Sequence, residues 1–197
     1  MRAHITATVR TCFAALRRIR SVRRSLTPDV LLTLLRALVI NKLDFCCSTL
    51  AGMSGTLLQK LQSVLNAAAR LVYSARRSEH TTPLLRQLHW LKVPERIKFQ
   101  LCVLVHRCLY NKASPYLAET LHLTTEVDAH CRLRSASTST LTVSSTCRST
   151  IGDRAFPVAV ACAWNSLPSS VRTVSSLNTF RDDLKTVLFR ASFDDRT

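Results

Sequence analysis

Residues 56–72 read TLLQKLQSVLNAAARLV, and this segment decides the fold class of the chain. Its apolar side chains recur at intervals of three and four residues, which places them on one face of an α-helix. The apolar positions are Leu57, Leu61, Val64, Ala68, Leu71 and Val72. Basic side chains lie on or beyond the polar side, at Lys60, Arg70, Arg76 and Arg77. The segment therefore predicts an amphipathic helix that buries one face and exposes a basic one.

The same periodicity predicts helices on both sides of this segment. Residues 3–24 carry apolar side chains three or four positions apart, and arginines crowd the remaining faces. Thr27-Pro28-Asp29 supplies an N-cap, a proline at the first helical position and an acid in the first turn, so a second helix is expected to run to about Leu50. Further helices are expected from Thr82-Pro83 to His89-Trp90, from Pro94 to Tyr110, at Ser114-Pro115, and over residues 154–167 and 176–190.

The composition indicates a globular chain dominated by helices. It has 197 residues, 47% of them hydrophobic, and only three glycines, which disfavours a turn-rich β fold. Residues 124–150 differ, because 13 of these 27 residues are serine or threonine and residues 140–144 alternate between polar and apolar. We therefore predict a mainly α fold with a helical domain over residues 1–123, a loop or small β-hairpin over 124–150 and a helical segment over 151–197.

The positive charge of the chain is concentrated in its first half. The net charge is +16, and residues 1–112 hold 19 basic and 4 acidic side chains, whereas residues 113–197 hold 9 and 8. Such a charge attracts polyanions, so nucleic acid or an anionic membrane surface is the class of partner that it favours. Because the longest apolar run, residues 156–164, is about half of what a membrane-spanning helix needs, we expect no membrane-spanning segment and no membrane partner.

Cysteine usage and the N-terminal sequence bear on the compartment. The eight cysteines are irregularly spaced and no signal peptide is recognisable, which predicts reduced thiols in a soluble intracellular chain, in the nucleus or the cytoplasm. Residues 1–28 contain arginines and no acid, a pattern that also occurs in mitochondrial transit peptides. Mitochondrial targeting is therefore an alternative.

No motif of the sequence predicts catalysis, a metal or a cofactor. Phe180-Arg181-Asp182-Asp183 has the order of an aromatic-x-Asp-Asp metal-binding element, but it lies in a helical pattern rather than on a tight hairpin. Cys46-Cys47, Cys102, His106 and Cys108 are the nearest zinc candidates, yet they contain no Cys-x-x-Cys pair, so buried thiols are the simpler interpretation. We therefore expect no catalytic residue, no bound metal and no cofactor.

Arginines of the first three predicted helices are the candidate binding residues, because a guanidinium offers forked donors to phosphate and each contact releases counterions. The candidates are Arg17, Arg18, Arg20, Arg23, Arg24, Arg70, Arg76 and Arg77. The alternative for these side chains is a polar face that only water covers. His89-Trp90 could stack on a base, but Leu88 and Leu91 beside the tryptophan favour a place in the core.

Four segments follow one another with a distinctive order and spacing: residues 61–72 (LQSVLNAAARLV), 89–91 (HWL), 152–156 (GDRAF) and 164–168 (WNSLP). Together they are similar to the region that follows the polymerase palm in non-LTR (LINE, jockey-like) retrotransposon reverse transcriptases. Residues 18–24 (RIRSVRR), 42–46 (KLDFC) and 114–117 (SPYL) also resemble this region, as does the closing helix at Ser176-Leu177, Phe180 and Leu184-Lys185. The chain departs from the family at Leu65, at Lys92 and at Val160-Ala161-Cys162, where a glutamine, a proline and an Ala-Ala-Pro stretch are usual.

The resemblance implies a thumb-like helical bundle that holds a template–primer duplex, with an RNA–DNA hybrid as the favoured ligand. The palm, the fingers, the endonuclease and the catalytic carboxylates would lie outside this chain, so no enzyme activity of its own is expected. RNA or DNA, and the missing polymerase portion, are the implied partners. The alternatives are a helical protein-interaction protein, whose apolar faces meet a protein partner, and a relic without function.

Overall fold

The structure is a computed structural model that describes residues 2–45, 47–124, 140–145, 152 and 154–193, with only the backbone described at 47 and 48. The prediction of a mainly α fold is confirmed, since the described residues are mostly helical and form no sheet. The longer helices are α1 (Arg2–Val22), α2 (Pro28–Leu35), α4 (Gly55–Tyr73), α6 (Val93–Leu109), α8 (Phe156–Asn165) and α10 (Leu177–Phe193). The shorter ones are α3 (Asn41–Asp44), α5 (Thr82–Gln87), α7 (Pro115–Ala118) and α9 (Ser169–Arg172).

The second predicted helix differs from its prediction at its C-terminal end. Thr27 takes the N-cap position with extended backbone and Pro28 begins α2 as expected, although the Thr27 hydroxyl makes no capping hydrogen bond. A π-helical turn over Arg36–Ile40 then connects α2 to α3. The helix ends at Asp44 rather than near Leu50, because Phe45 adopts an extended backbone. A separate 3₁₀ turn covers Cys47–Leu50.

The chain divides into two compact units. The first unit contains residues 1–47, 53–96 and 189–197, and the second contains residues 48–52 and 97–188. The first unit therefore includes α1 to α5 and the C-terminal end of α10, whereas the second includes α7 to α9 and most of α10.

The core of the first unit forms where α1 packs against α4. The buried face of α1 carries Ile5, Cys12, Leu16 and Ile19, and that of α4 carries Leu57, Leu61, Val64, Leu65, Ala68 and Ala69. The two alanines are fully buried, and their small side chains let the neighbouring helix approach closely. An ion pair adds to this unit, since Arg96 Nε donates to Asp44 Oδ1 at 2.8 Å and the second guanidinium nitrogen contacts Oδ2. Asp44 thus anchors the end of α3.

The last part of α10 returns to the first unit. Lys92 Nζ donates a hydrogen bond to the Ser192 carbonyl at 2.8 Å and lies 5.2 Å from the centroid of the Phe193 ring. Phe193 is buried, and the His89 ring lies 5.4 Å from the Phe189 ring. Trp90 is only 7% exposed, so it belongs to the core and does not form an exposed stacking platform.

The core of the second unit is an aromatic cluster around His106. Trp164, Phe180 and His106 are fully buried. The Phe180 ring is stacked 4.4 Å from the His106 ring and lies 5.6 Å from the Trp164 ring. The His106 Nε2–H group donates to the Val174 carbonyl at 2.9 Å, whereas Nδ1 is buried and has no hydrogen-bond partner among the described residues. Burial of the ring, with no partner for Nδ1 in the described ranges, therefore disfavours the protonated imidazolium.

The predicted hairpin over 124–150 lies mostly outside the described residues, and its described ends form one antiparallel bridge between Leu123 and Leu141. Two backbone bonds flank the bridge, from Thr124 N to the Thr140 carbonyl and from Thr142 N to the His122 carbonyl. The Asn165 side chain completes the arrangement, because its amide accepts from Leu141 N at 2.9 Å and donates to the Leu141 carbonyl at 2.8 Å. One side chain thus pairs with Leu141 as a neighbouring strand would.

The buried His106 predicts a dependence of stability on pH. Burial lowers the pKa of His106 below its ordinary value of 6.5, and this effect outweighs that of the hydrogen bond to Val174, which raises the pKa. Below pH 6.5 the unfolded chain takes up a proton that the folded chain binds less readily. This part of the stability is therefore complete above that pH and is lost as the pH falls below it, toward the lowered pKa of His106 in the folded chain.

Urea unfolding of the wild type and of His106→Gln between about pH 5 and pH 8 measures this contribution. Glutamine keeps a donor for the Val174 carbonyl and does not titrate. The free energy of unfolding of the wild type is expected to fall more steeply toward low pH than that of the variant. Parallel curves for the two proteins would show that His106 does not couple protonation to folding.

Candidate nucleic-acid interface

A groove of about 890 Å³ runs along α1 and α4 in the first unit. Seven arginines line it: Arg17, Arg20, Arg23, Arg24, Arg70, Arg76 and Arg77. The remaining lining residues are Phe13, Leu16, Ser63, Ala67, Leu71, Ser74 and Ala75. We call this surface the arginine groove. The arginine groove therefore combines apolar side chains with many cationic groups. It brings together seven of the eight arginines that the sequence predicts as binding residues.

Helix geometry explains which α1 arginines reach the arginine groove. Arg17 and Arg20 are three residues apart and lie on one side of α1, and Arg24 follows in the 3₁₀ turn Arg23–Ser25 that comes directly after α1. Arg18 does not line the groove and is exposed. It precedes Arg20 by two residues, and at about 100° per residue this places the two side chains on nearly opposite sides of the helix.

A second depression continues the arginine groove along α1. It has a volume of about 760 Å³ and shares Phe13 and Arg17 with the groove, and it adds Arg10. Arg10 is exposed and is not one of the eight arginines that the sequence predicts as binding residues. The signal that identifies it is its position seven residues before Arg17, which puts both side chains on one helical face.

The arginine groove carries an excess of positive charge among the residues that line it. Among the residues that the structure describes, none of the seven arginines forms an ion pair. Glu79 is the nearest acid in the sequence, but its carboxylate accepts a hydrogen bond from the backbone nitrogen of Arg76, at 2.6 Å. An excess of unpaired guanidinium groups around a concave surface creates a positive potential that attracts phosphate.

Two of the seven arginines also hold the protein backbone. Arg23 Nη2 donates to the Val72 carbonyl in the last turn of α4, at 3.0 Å, and thereby satisfies an acceptor that the helix end leaves open. Arg70 Nη2 donates to the Glu79 carbonyl at 3.1 Å. The Nε atoms of both arginines are buried and have no hydrogen-bond partner within the described part of the chain. Arg23 and Arg70 are therefore partly structural.

The other five arginines of the groove, which are Arg17, Arg20, Arg24, Arg76 and Arg77, are exposed. Arg76 and Arg77 reach the groove because α4 ends in a sharp turn, in which Ser74 has a left-handed backbone with φ of 53°. The Ala75 nitrogen then donates to the Arg70 carbonyl at 3.0 Å. This C-terminal cap redirects the chain, so that the two arginines line the same surface as the α1 arginines.

The structure places the other candidate motifs in the core or on a helix. Cys102, His106 and Cys108 are buried, Cys46 lies outside the described residues, and no side-chain position is described for Cys47. Burial raises the pKa of the Cys102 thiol to about 12, which opposes formation of the thiolate that a metal requires. Within the described ranges, no three histidine, cysteine or acidic residues are grouped as metal ligands would be.

Phe180-Arg181-Asp182-Asp183 lies on α10, as its helical pattern predicts. Phe180 is fully buried, whereas Asp182 and Asp183 are exposed on the helix surface. The two carboxylates therefore lie on a helix rather than at the tip of a hairpin.

In the part of the chain that the structure describes, no helix has the length and hydropathy required to span a bilayer.

Protein-family models, curated proteins and solved structures were each compared with the chain, and none of them matches it.

Proposed function

We propose that this chain binds the phosphate backbone of nucleic acid in the arginine groove. The observation that carries the proposal is the convergence of seven arginines, from α1, the 3₁₀ turn after it, α4 and the loop after α4, on one concave surface without an ion pair among the described residues. Arginine contacts phosphate through forked donors, and a groove concentrates the positive potential of several such groups. The net charge of +16 adds long-range attraction.

The sequence resemblance suggests the form of nucleic acid. If the chain is the thumb-like part of a non-LTR retrotransposon RNA-directed DNA polymerase, its ligand is the template–primer duplex, and an RNA–DNA hybrid is favoured over other forms. The chain would then act without a catalytic site of its own, alongside the polymerase portion that carries the catalytic carboxylates. Such a protein would work inside the cell, in the nucleus or the cytoplasm.

A salt series tests the proposal. The purified full chain is titrated against a labelled RNA–DNA hybrid, duplex DNA and single-stranded RNA, and circular dichroism verifies that it is folded. With five to seven phosphate contacts, the slope of log K against log salt is expected to be about −4.5 to −6 for duplexes. The hybrid is expected to bind most tightly. A folded chain whose affinity barely changes between about 0.05 and 0.3 M salt would contradict the proposal.

A helical protein-interaction function is the second candidate, because three large apolar side chains are exposed, in α2, in the π-helical turn and directly after α3. Val30 is 46%, Leu38 is 42% and Phe45 is 68% exposed. Exposed apolar side chains meet a protein partner with little dependence on salt. A folded chain that binds no nucleic acid would favour this second function, whereas a chain that does not fold would favour a relic.

A further inference from the structure

We propose that Glu79 is a positioning residue of the arginine groove: its carboxylate folds the loop after α4 and thereby holds Arg76 and Arg77 where they contact phosphate. This inference rests on the proposed function. It assigns to an acidic residue a favourable role in binding a polyanion, which is the opposite of what its charge alone predicts.

Glu79 is the centre of the hydrogen bonds that shape this loop. Its Oε1 accepts from Arg76 N at 2.6 Å, and its own backbone nitrogen donates to the Arg76 carbonyl at 3.1 Å. Its carbonyl accepts from Arg70 Nη2 at 3.1 Å. Glu79 therefore stabilises the turn through both its side chain and its backbone nitrogen, and its carbonyl connects the turn to Arg70 of α4. A short charge-assisted bond to a backbone amide is among the stronger hydrogen bonds in proteins.

The hydrogen-bond partner of the Glu79 carboxylate is informative about its role, because seven guanidinium groups line the groove nearby. An acid in such surroundings would ordinarily pair with an arginine. In the described part of the chain Glu79 forms no ion pair, and its carboxylate instead bonds to the backbone of Arg76. The loop is shaped by this bond, and the five exposed arginines of the groove keep their donors for a ligand.

Two substitutions separate the positioning role from the effect of charge. Glu79→Gln removes the charge but keeps an oxygen that can accept from Arg76 N, whereas Glu79→Ala removes both. If only charge matters, both variants raise the positive potential equally and both bind nucleic acid more tightly. If Glu79 positions the loop, the two variants differ: glutamine preserves binding and alanine weakens it.

The experiment measures binding of a labelled RNA–DNA hybrid to the full chain and its variants across a salt series. Glu79→Gln is expected to bind at least as tightly as the wild type, with the same slope. Glu79→Ala is expected to bind about tenfold more weakly at 0.1 M salt, with a slope that is shallower by up to about 1.8, because each lost phosphate contact removes about 0.9. Equal affinities and equal slopes for the two variants would overturn the inference.

A double-mutant cycle tests whether Glu79 acts through the two arginines. In a chain that already carries Arg76→Gln and Arg77→Gln, Glu79→Ala is expected to cause no further reduction of the slope. A further reduction of the same size would overturn the assignment. Failure of the wild type to bind would reject the proposed function together with this inference, whereas a wild type that binds beside identical Glu79 variants would reject the inference alone.

Discussion

Simultaneous replacement of the five exposed arginines of the groove by glutamine is expected to reduce the affinity for an RNA–DNA hybrid by about a thousandfold or more at 0.1 M salt. The substitutions are Arg17→Gln, Arg20→Gln, Arg24→Gln, Arg76→Gln and Arg77→Gln. Each lost phosphate contact makes the slope of log K against log salt about 0.9 shallower, so five lost contacts change it by about 4.5. Arg23 and Arg70 are left in place because their guanidinium groups also bond to backbone carbonyls.

A matched variant separates the groove from net charge. Arg86, Arg107, Lys112, Arg181 and Lys185 are exposed and do not line the arginine groove, so their replacement by glutamine removes the same five charges elsewhere. This control is expected to lose far less affinity, since screening weakens the contribution of distant charges. Circular dichroism and urea unfolding establish that both variants are folded. Equal losses in the two variants would show that the groove is not the binding site.

The largest effect on stability is expected for Phe180→Ala, at about 3 to 5 kcal/mol. Phe180 is fully buried between the His106 ring, with centroids 4.4 Å apart, and the Trp164 ring, with centroids 5.6 Å apart. Truncation removes both ring contacts and leaves a cavity that the surrounding helices fill only in part. Urea unfolding measures the change. If the variant is unfolded without urea, Phe180→Leu keeps most of the volume and is expected to cost about 1 to 2 kcal/mol.

Phe45→Ala is the matched control for this core substitution. Phe45 is 68% exposed, so the same truncation removes little buried surface and is expected to change the free energy of unfolding by less than about 1 kcal/mol. A similar destabilisation by Phe45→Ala and Phe180→Ala would contradict the assignment of Phe180 to the core.

The sequence predicts the long helices well, because their signals are local. Periodicity identifies α1, α4 and α10, and prolines mark the starts of α2 and α5. The end of the second predicted helix is wrong because a π-helical turn and the extended backbone of Phe45 depend on packing that no local pattern reveals. The four-residue helix α9 follows Pro168 and is too short to show any periodicity.

The arginine groove is predictable only in part. Counting arginines along the chain selects its members but also selects Arg18, which a helical wheel separates from Arg17 and Arg20. That α1 packs on α4, and that their arginines therefore share one surface, depends on tertiary contacts. The role that we propose for Glu79 depends on the left-handed turn at Ser74, because the turn brings the loop back toward α4.

The return of α10 to the first unit affects the order in which a ribosome could complete that unit. Residues 1–96 emerge first, but the place beside Lys92 stays empty until Ser192 and Phe193 have been made. About a hundred residues separate the two parts, and at about 5 to 20 residues per second their synthesis takes roughly 5 to 20 s. During that interval Lys92 lacks both the Ser192 carbonyl and the Phe193 ring, so the first unit acquires these contacts only after the second unit has been synthesised.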